Sequence, residues 1–352
     1  MTDQKSGKKL SQKSKIIIAL TAVLVIALGI TFFNYYLKYF GPSVTNTEEY
    51  LYIRTGSNAN DVYRAIEEKN IVKKPEVFKW AAENMDYPLS VKPGRYRLKK
   101  GMSNRAFINM LKAGNQEPVQ LRFRGLRLKE NFAAYVATQI EADSLSLIRL
   151  LDSAAYISKY GFNKDNVYAM FIPNSYELYW NTSATEFFEK MNKEYEKFWT
   201  AERKAKAEKI GLSPIQVSNL AAIVDAEALH DSEMPTIAGL YMNRYKRGIK
   251  LQADPTVIYA NNDFTIRRVL NRHLVKNSPY NTYIYSGLPP GPIMMPSINA
   301  IDAVLNYKKH NFIYMCAKED FSGYHNFAVT VAEHQANARR FQQALNERNI
   351  KK

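Results

Sequence analysis

The chain has 352 residues, 46% hydrophobic and 12% aromatic, the composition of a folded protein with room for more than one core. Forty-nine Lys and Arg stand against 33 Asp and Glu, a formal net charge of +16, so a polyanionic neighbour is expected: nucleic acid, anionic lipid or an anionic wall polymer. The single cysteine, Cys316, excludes an intramolecular disulfide, and no internal repeat is evident.

The N-terminus narrows the choice of neighbour. Residues 1–15 form a basic tail with five lysines (Lys5, Lys8, Lys9, Lys13, Lys15), followed by an uninterrupted uncharged run over 16–37. About twenty such residues span a bilayer. The far end of the run is aromatic (Phe32, Phe33, Tyr35, Tyr36), as suits an interface, and it lacks the small residues of a cleavage site. The reading is a transmembrane signal anchor with its amino terminus in the cytoplasm and everything after Lys38 on the envelope side. That placement argues against nucleic acid as a partner. A short linker, Lys38 to Thr47, follows.

Residues 48–115 read as a small α/β piece. Tyr50–Ile53 alternates like a strand, Asn60–Lys69 and Val77–Met85 read as helices, Gly94–Leu98 as a strand, and Ser103–Lys112 as a helix with Ser103 as N-cap. Residues 91–130 hold eleven Lys or Arg against Glu117 and Glu130. Two readings stand for this basic stretch: contact with anionic polymer or lipid headgroups, or a solvated face. Residues 116–215 read as a mainly helical connecting region, with a Pro-Asn-Ser turn at Phe171–Glu177 and one long charged helix over Thr185–Ile210.

The last region, 216–352, is expected to hold the chemistry. Ser213-Pro214 opens a helix in which Leu220, Ile223 and Val224 make an apolar stripe, and Glu227 falls in the next slot of that stripe. Asp225 lies roughly 200° around the helix from Glu227 and is expected to look outward. A carboxyl held against apolar walls has its charged form disfavoured and can act as a general acid; the competing reading is a structural Glu. Downstream lie Asn243-Arg244, the loop Leu251-Gln252-Ala253-Asp254-Pro255-Thr256, and the stretch from Ser278-Pro279-Tyr280-Asn281 to Gly287-Leu288-Pro289-Pro290-Gly291-Pro292. Loops so rich in Pro, Gly, amides and hydroxyls hold rigid shapes suited to a polyhydroxylated ligand such as a sugar chain.

Taken together these segments resemble the membrane-anchored endolytic murein transglycosylases, the YceG-like group, from about residue 45 to the end. The resemblance is most specific at Leu251–Thr256 with Ser278–Pro292. It implies an α+β fold in three parts: a single N-terminal transmembrane helix, a small LysM-like glycan-binding module at 48–115, and a mixed α/β catalytic domain at 216–352. It also implies cleavage of β-1,4 bonds between N-acetylmuramic acid and N-acetylglucosamine, with peptidoglycan strands as substrate and peptidoglycan synthases (penicillin-binding proteins) as partners. The family commonly has Glu-x-Glu on the acid helix where this chain has Asp225-Ala226-Glu227, and Thr in the turn where this chain has Ser175. The stripe selects Glu227, with Asp225 and Asp254 as second choices. Asn243, Gln252, Ser278, Tyr280 and Asn281 are candidate donors to sugar groups, Arg244 a partner for a carboxylate, and His325, in a Gly-rich turn matching one in the family, a candidate cleft residue. No metal-ligand spacing, P-loop or dinucleotide fingerprint occurs, so no cofactor is implied. Two other functions stay open: a non-catalytic glycan-binding scaffold, and a muramidase using Glu227 with Asp254.

Overall fold

The computed structural model describes residues 11–45 and 48–348; the predicted tail lysines Lys5, Lys8 and Lys9 fall outside them. The chain is a helix-rich α+β protein. Its six described strands pair as three two-stranded antiparallel sheets, and it divides into two compact units: Met1–Pro118 with Tyr179–Asn181, and Val119–Leu178 with Thr182–Lys352.

The first unit begins with a 29-residue apolar helix, Gln12–Phe40, long enough to cross a membrane and exposed along its whole apolar run. The expected linker is not loose. Asn104 donates to the Lys38 carbonyl at 2.8 Å, and Ser43 and Val44 donate to the Met102 carbonyl at 3.1 and 3.0 Å. Val44 bridges to Val72 and is 1% exposed, so the residues after the helix are part of the next fold. That fold runs β1 (Tyr50–Ile53), helices Ala59–Glu68 and Pro75–Asn84, β2 (Gly94–Arg97) and helix Asn104–Ala113, with β1 and β2 antiparallel and Leu51 opposite Tyr96. A capping box at Asn58/Asp61 and the caps Ser103 and Gly114 set the helix ends. Leu51, Ile66, Phe78, Tyr96 and Phe107 fill the core, each side chain worth roughly 1.5–3 kcal/mol of transfer free energy.

The second unit has two cores. In the first, β3 (Val119–Arg122) pairs with β4 (Ser175–Leu178), Leu121 opposite Tyr176, over the aromatic cluster Phe132, Phe171, Phe187 and Phe188. The stretch read as a turn through Glu177 is therefore a strand from Ser175 onward. The expected long helix is two, Ala184–Phe198 and Ala201–Ile210. Trp199 leaves helical geometry to bury itself to 1% exposure, and Thr200 caps the second helix by accepting from Arg203 N at 3.3 Å.

The second core is built from helices Pro214–Glu227, Met234–Lys246 and Ile298–Leu305. A hairpin of β5 (Tyr314–Ala317) and β6 (His325–Ala328) and a final helix, Val331–Glu347, follow. Helix Pro214–Glu227 starts as expected, with Pro214 in its first turn and a reciprocal Ser213/Gln216 capping box. Every residue from Val217 to Val224 is buried, so the helix is enclosed on all sides and has no single stripe. For the same reason Asp225 does not look out. It is half-buried and accepts from the backbone N and Oγ of Ser297, at 2.8 and 2.9 Å.

Candidate active site

Glu227 is the last residue of its helix, and half-buried. Its carboxyl is pushed up to about 7, first by burial and then by the charge of Asp254, while the hydroxyl of Tyr241 donates to Oε1 at 3.0 Å and pulls the other way. The helix C-terminus, the negative end of the backbone dipole, also disfavours the carboxylate. An acid in that range holds its proton close to neutral pH and can give it up, as a general acid must.

A cleft of about 400 Å³ opens over this group, and Glu227, Arg244, Gln252, Asp254 and His325 all line it. Asp254 is exposed in the first turn of helix Asp254–Asn261, and Tyr283 donates to its Oδ1 at 2.7 Å. Burial and the Asp254 carboxylate hold the Tyr283 phenol well above its ordinary value, so it stays a donor. Arg244 is 6% exposed, and its guanidinium is committed to protein: Nε to the Lys250 carbonyl at 2.9 Å, Nη1 to the Ile313 carbonyl at 2.8 Å, and Nη2 to Gln252 Oε1. It therefore fixes the wall beneath Gln252, whose backbone sits at φ 53. His325 is gripped twice by Glu233, through Nδ1 to Oε2 at 2.7 Å and through its backbone N to Oε1 at 2.8 Å. His334 stacks on Tyr314 with ring centroids 5.2 Å apart.

The remaining candidates lie outside this lining. Asp225 holds Ser297. The Asn243 amide donates to the carbonyls of His310 and Phe312, at 2.7 and 3.0 Å, and so ties down the chain entering β5. Asn281 is fully buried and donates to the carbonyls of Leu274 and Lys276 at 2.8 and 2.9 Å. Ser278 accepts from Tyr280 N at 3.4 Å, and the Tyr280 hydroxyl reaches the Asp165 carbonyl at 3.2 Å. These residues shape the loops. Thr282 then stitches them to the cleft, its Oγ1 accepting from Ala253 N at 3.0 Å and meeting Thr256 Oγ1 at 2.8 Å. Gly291 passes so near the Asp165 carbonyl that a Cβ would lie 1.8 Å from that oxygen, which is why glycine stands there.

Tyr241, Tyr283 and His334 line the cleft and were missed by sequence reasoning, as was Glu233, which holds His325 from behind. Tyr241 was within reach, since it precedes Arg244 by three residues and so shares its helix face. Glu233, beside Met234-Pro235, reads like any acid near a helix start.

The chain matches the family model described as the YceG-like family over residues 51–340. It is 26% identical over 313 residues to an endolytic murein transglycosylase of Bacillus subtilis, covering 84% of this chain and 85% of that one. An endolytic murein transglycosylase of Streptococcus pneumoniae is 25% identical over 341 residues, covering 87% of this chain but 61% of the longer relative. A solved crystal structure of a yceG-like protein from Listeria monocytogenes shares the fold with TM-score 0.54 at 21% identity, over 82% of this chain and 98% of that one.

Proposed function

Because the chain belongs to the YceG-like family, we propose that it is an endolytic murein transglycosylase that cuts β-1,4 bonds between N-acetylmuramic acid and N-acetylglucosamine within glycan strands. The observation that carries this reading is the half-buried Glu227, pushed up to about 7 at the floor of a polar cleft. In the proposed reaction Glu227 protonates the glycosidic oxygen. Its carboxylate then takes the proton of the muramoyl C6 hydroxyl, which attacks the anomeric carbon and closes a 1,6-anhydro ring. The nucleophile belongs to the substrate, so no second catalytic carboxylate is needed.

Gln252, Asp254 and His325 are the groups we assign to sugar contacts, with Tyr241 and Tyr283 tuning the two acids. The strand–helix–helix–strand order of residues 50–97 supports reading the first module as a LysM-like glycan binder. The helix Gln12–Phe40 supports a single-pass anchor in the cytoplasmic membrane, and the lysines before it support a cytoplasmic amino terminus. The family resemblance supports work beside peptidoglycan synthases, trimming or terminating new strands.

A two-carboxylate muramidase is the second reading, favoured by the presence of Asp254 in the same cleft and by its charge reaching Glu227. Paired carboxylates would stand about 5 Å apart for retention or about 6.5–9.5 Å for inversion. Mass spectrometry of glycan strands digested by the full chain decides between them. Products lighter by one water than reducing ends, lost in Glu227→Gln, are expected. Reducing ends of normal mass would replace this reading with the hydrolase, and intact strands that still bind would leave a scaffold.

A further inference from the structure

Where the apolar helix meets the first module there is an open pocket of about 580 Å³, unused by the chemistry above. Lys38, Lys73 and Lys74 line it together with Asn34, Leu37 and Asn104, and no Asp or Glu is among its lining residues. All three lysines are exposed, and none has an ion-pair partner among the described residues. Lys38 lies over the ring of Trp80, its Nζ 4.5 Å from the centroid. The ten-residue helix Pro75–Asn84 begins here with no side-chain cap at Lys74, so the positive end of its dipole adds to the lysines. Glu76 in that first turn is exposed and is not among the lining residues.

A second observation is independent of charge. Asn104 is 3% exposed; its Nδ2 caps the last turn of the apolar helix through the Lys38 carbonyl, yet its Oδ1 has no partner. The rim is amphiphilic as well: Leu37 and Val77 supply apolar surface beside the ammonium groups, and Tyr35 and Tyr39 pack on Trp80 with ring centroids 5.7 and 5.4 Å away. Aromatic rings of this kind settle at headgroup depth.

We propose that this pocket is a binding site for an anionic glycerophospholipid, with the lipid phosphate on Lys38, Lys73 and Lys74 and the first acyl carbons along Leu37 and Val77. The proposal rests on reading Gln12–Phe40 as a membrane anchor. A prenyl diphosphate offers the same phosphate chemistry, and the experiment separates the two.

The full chain and its Lys73→Gln/Lys74→Gln variant are placed in nanodiscs of phosphatidylcholine with and without phosphatidylglycerol, and native mass spectrometry counts the lipids retained per chain. Both proteins should enter pure phosphatidylcholine discs, since insertion needs only the helix. The unaltered chain should keep one phosphatidylglycerol in preference to phosphatidylcholine, and the variant should lose about tenfold of that preference while melting at the same temperature. Equal retention of both lipids by the unaltered chain, or an unchanged preference in the variant, overturns the site. Exclusion from phosphatidylcholine discs overturns the anchor reading and the site with it. Displacement of phosphatidylglycerol by an equal amount of prenyl diphosphate overturns the glycerophospholipid assignment and leaves a diphosphate-lipid site.

Discussion

In the cleft, three polar pairs are made between side chains, Tyr241 with Glu227, Tyr283 with Asp254 and Glu233 with His325, while Arg244 holds two backbone carbonyls. In the loop from Ser278 to Thr282 three side chains meet the backbone: Asn281 holds two carbonyls, Tyr280 holds Asp165, and Thr282 holds Ala253. A side chain bonded to another side chain can rotate and trade that partner for a ligand. One that satisfies a buried backbone group cannot leave without orphaning it. The two stretches look alike in composition, and the partners separate exchangeable groups from architectural ones.

The sharpest break of this contrast is Glu227→Gln, expected to lower turnover on glycan strands by about three orders of magnitude with the fold retained. Asn281→Ala is expected to do the reverse. It strips the donor from two carbonyls and should cost about 2–3 kcal/mol in denaturant unfolding, while activity per folded molecule stays near that of the unaltered chain. A stable Asn281→Ala protein without activity would make the loop a substrate surface and dissolve the distinction.

Glu227 also predicts a pH signature. Its carboxyl rises from an ordinary 4.5 to about 7 on folding, so the folded state favours the protonated form. The stability gained is complete below pH 4.5 and is lost as pH rises through about 7. Between those limits the unaltered chain should lose about 2 kcal/mol relative to Glu227→Gln, allowing for water in the cleft; parallel melting curves would show no raised acid. The finest test uses opposite signs. Removing the Asp254 charge in Asp254→Asn should move the alkaline limb of kcat/KM down by a fraction of a pH unit, with activity within about tenfold. Losing the Tyr241 hydrogen bond in Tyr241→Phe should move that limb up. A collapse of activity in Asp254→Asn would instead favour the two-carboxylate muramidase.

Local signals were legible in the sequence wherever one residue decides a backbone state. Ser213-Pro214 and Ser103 cap the helices expected of them, and the first module's strand and helix order is read correctly. The helix break at Trp199 was not legible, because burial of one indole overrode good helix formers on both sides. The strand at Ser175–Leu178 was hidden by the turn residues before it, its partner Val119–Arg122 lying far away in sequence. Glu227 was singled out by a stripe that the enclosed helix does not have, so its placement in the cleft followed from a simpler fact: it is a carboxylate at the end of an apolar run. The partners of Arg244, Asn243 and Asn281 are mostly backbone carbonyls, which carry no side-chain signature and are invisible to any reading by residue type.

The strap from Gly41 to Val44 has a practical consequence for where the polypeptide may be cut. A secreted version begun near residue 45 would discard Val44 and its bridge to Val72, together with the Ser43 carbonyl that accepts from Lys73. It would also discard the Lys38 carbonyl, leaving Asn104 with neither end of its amide paired. A boundary placed within the last turn of the apolar helix keeps that stitching, at the expense of a few greasy residues that a mild detergent can cover.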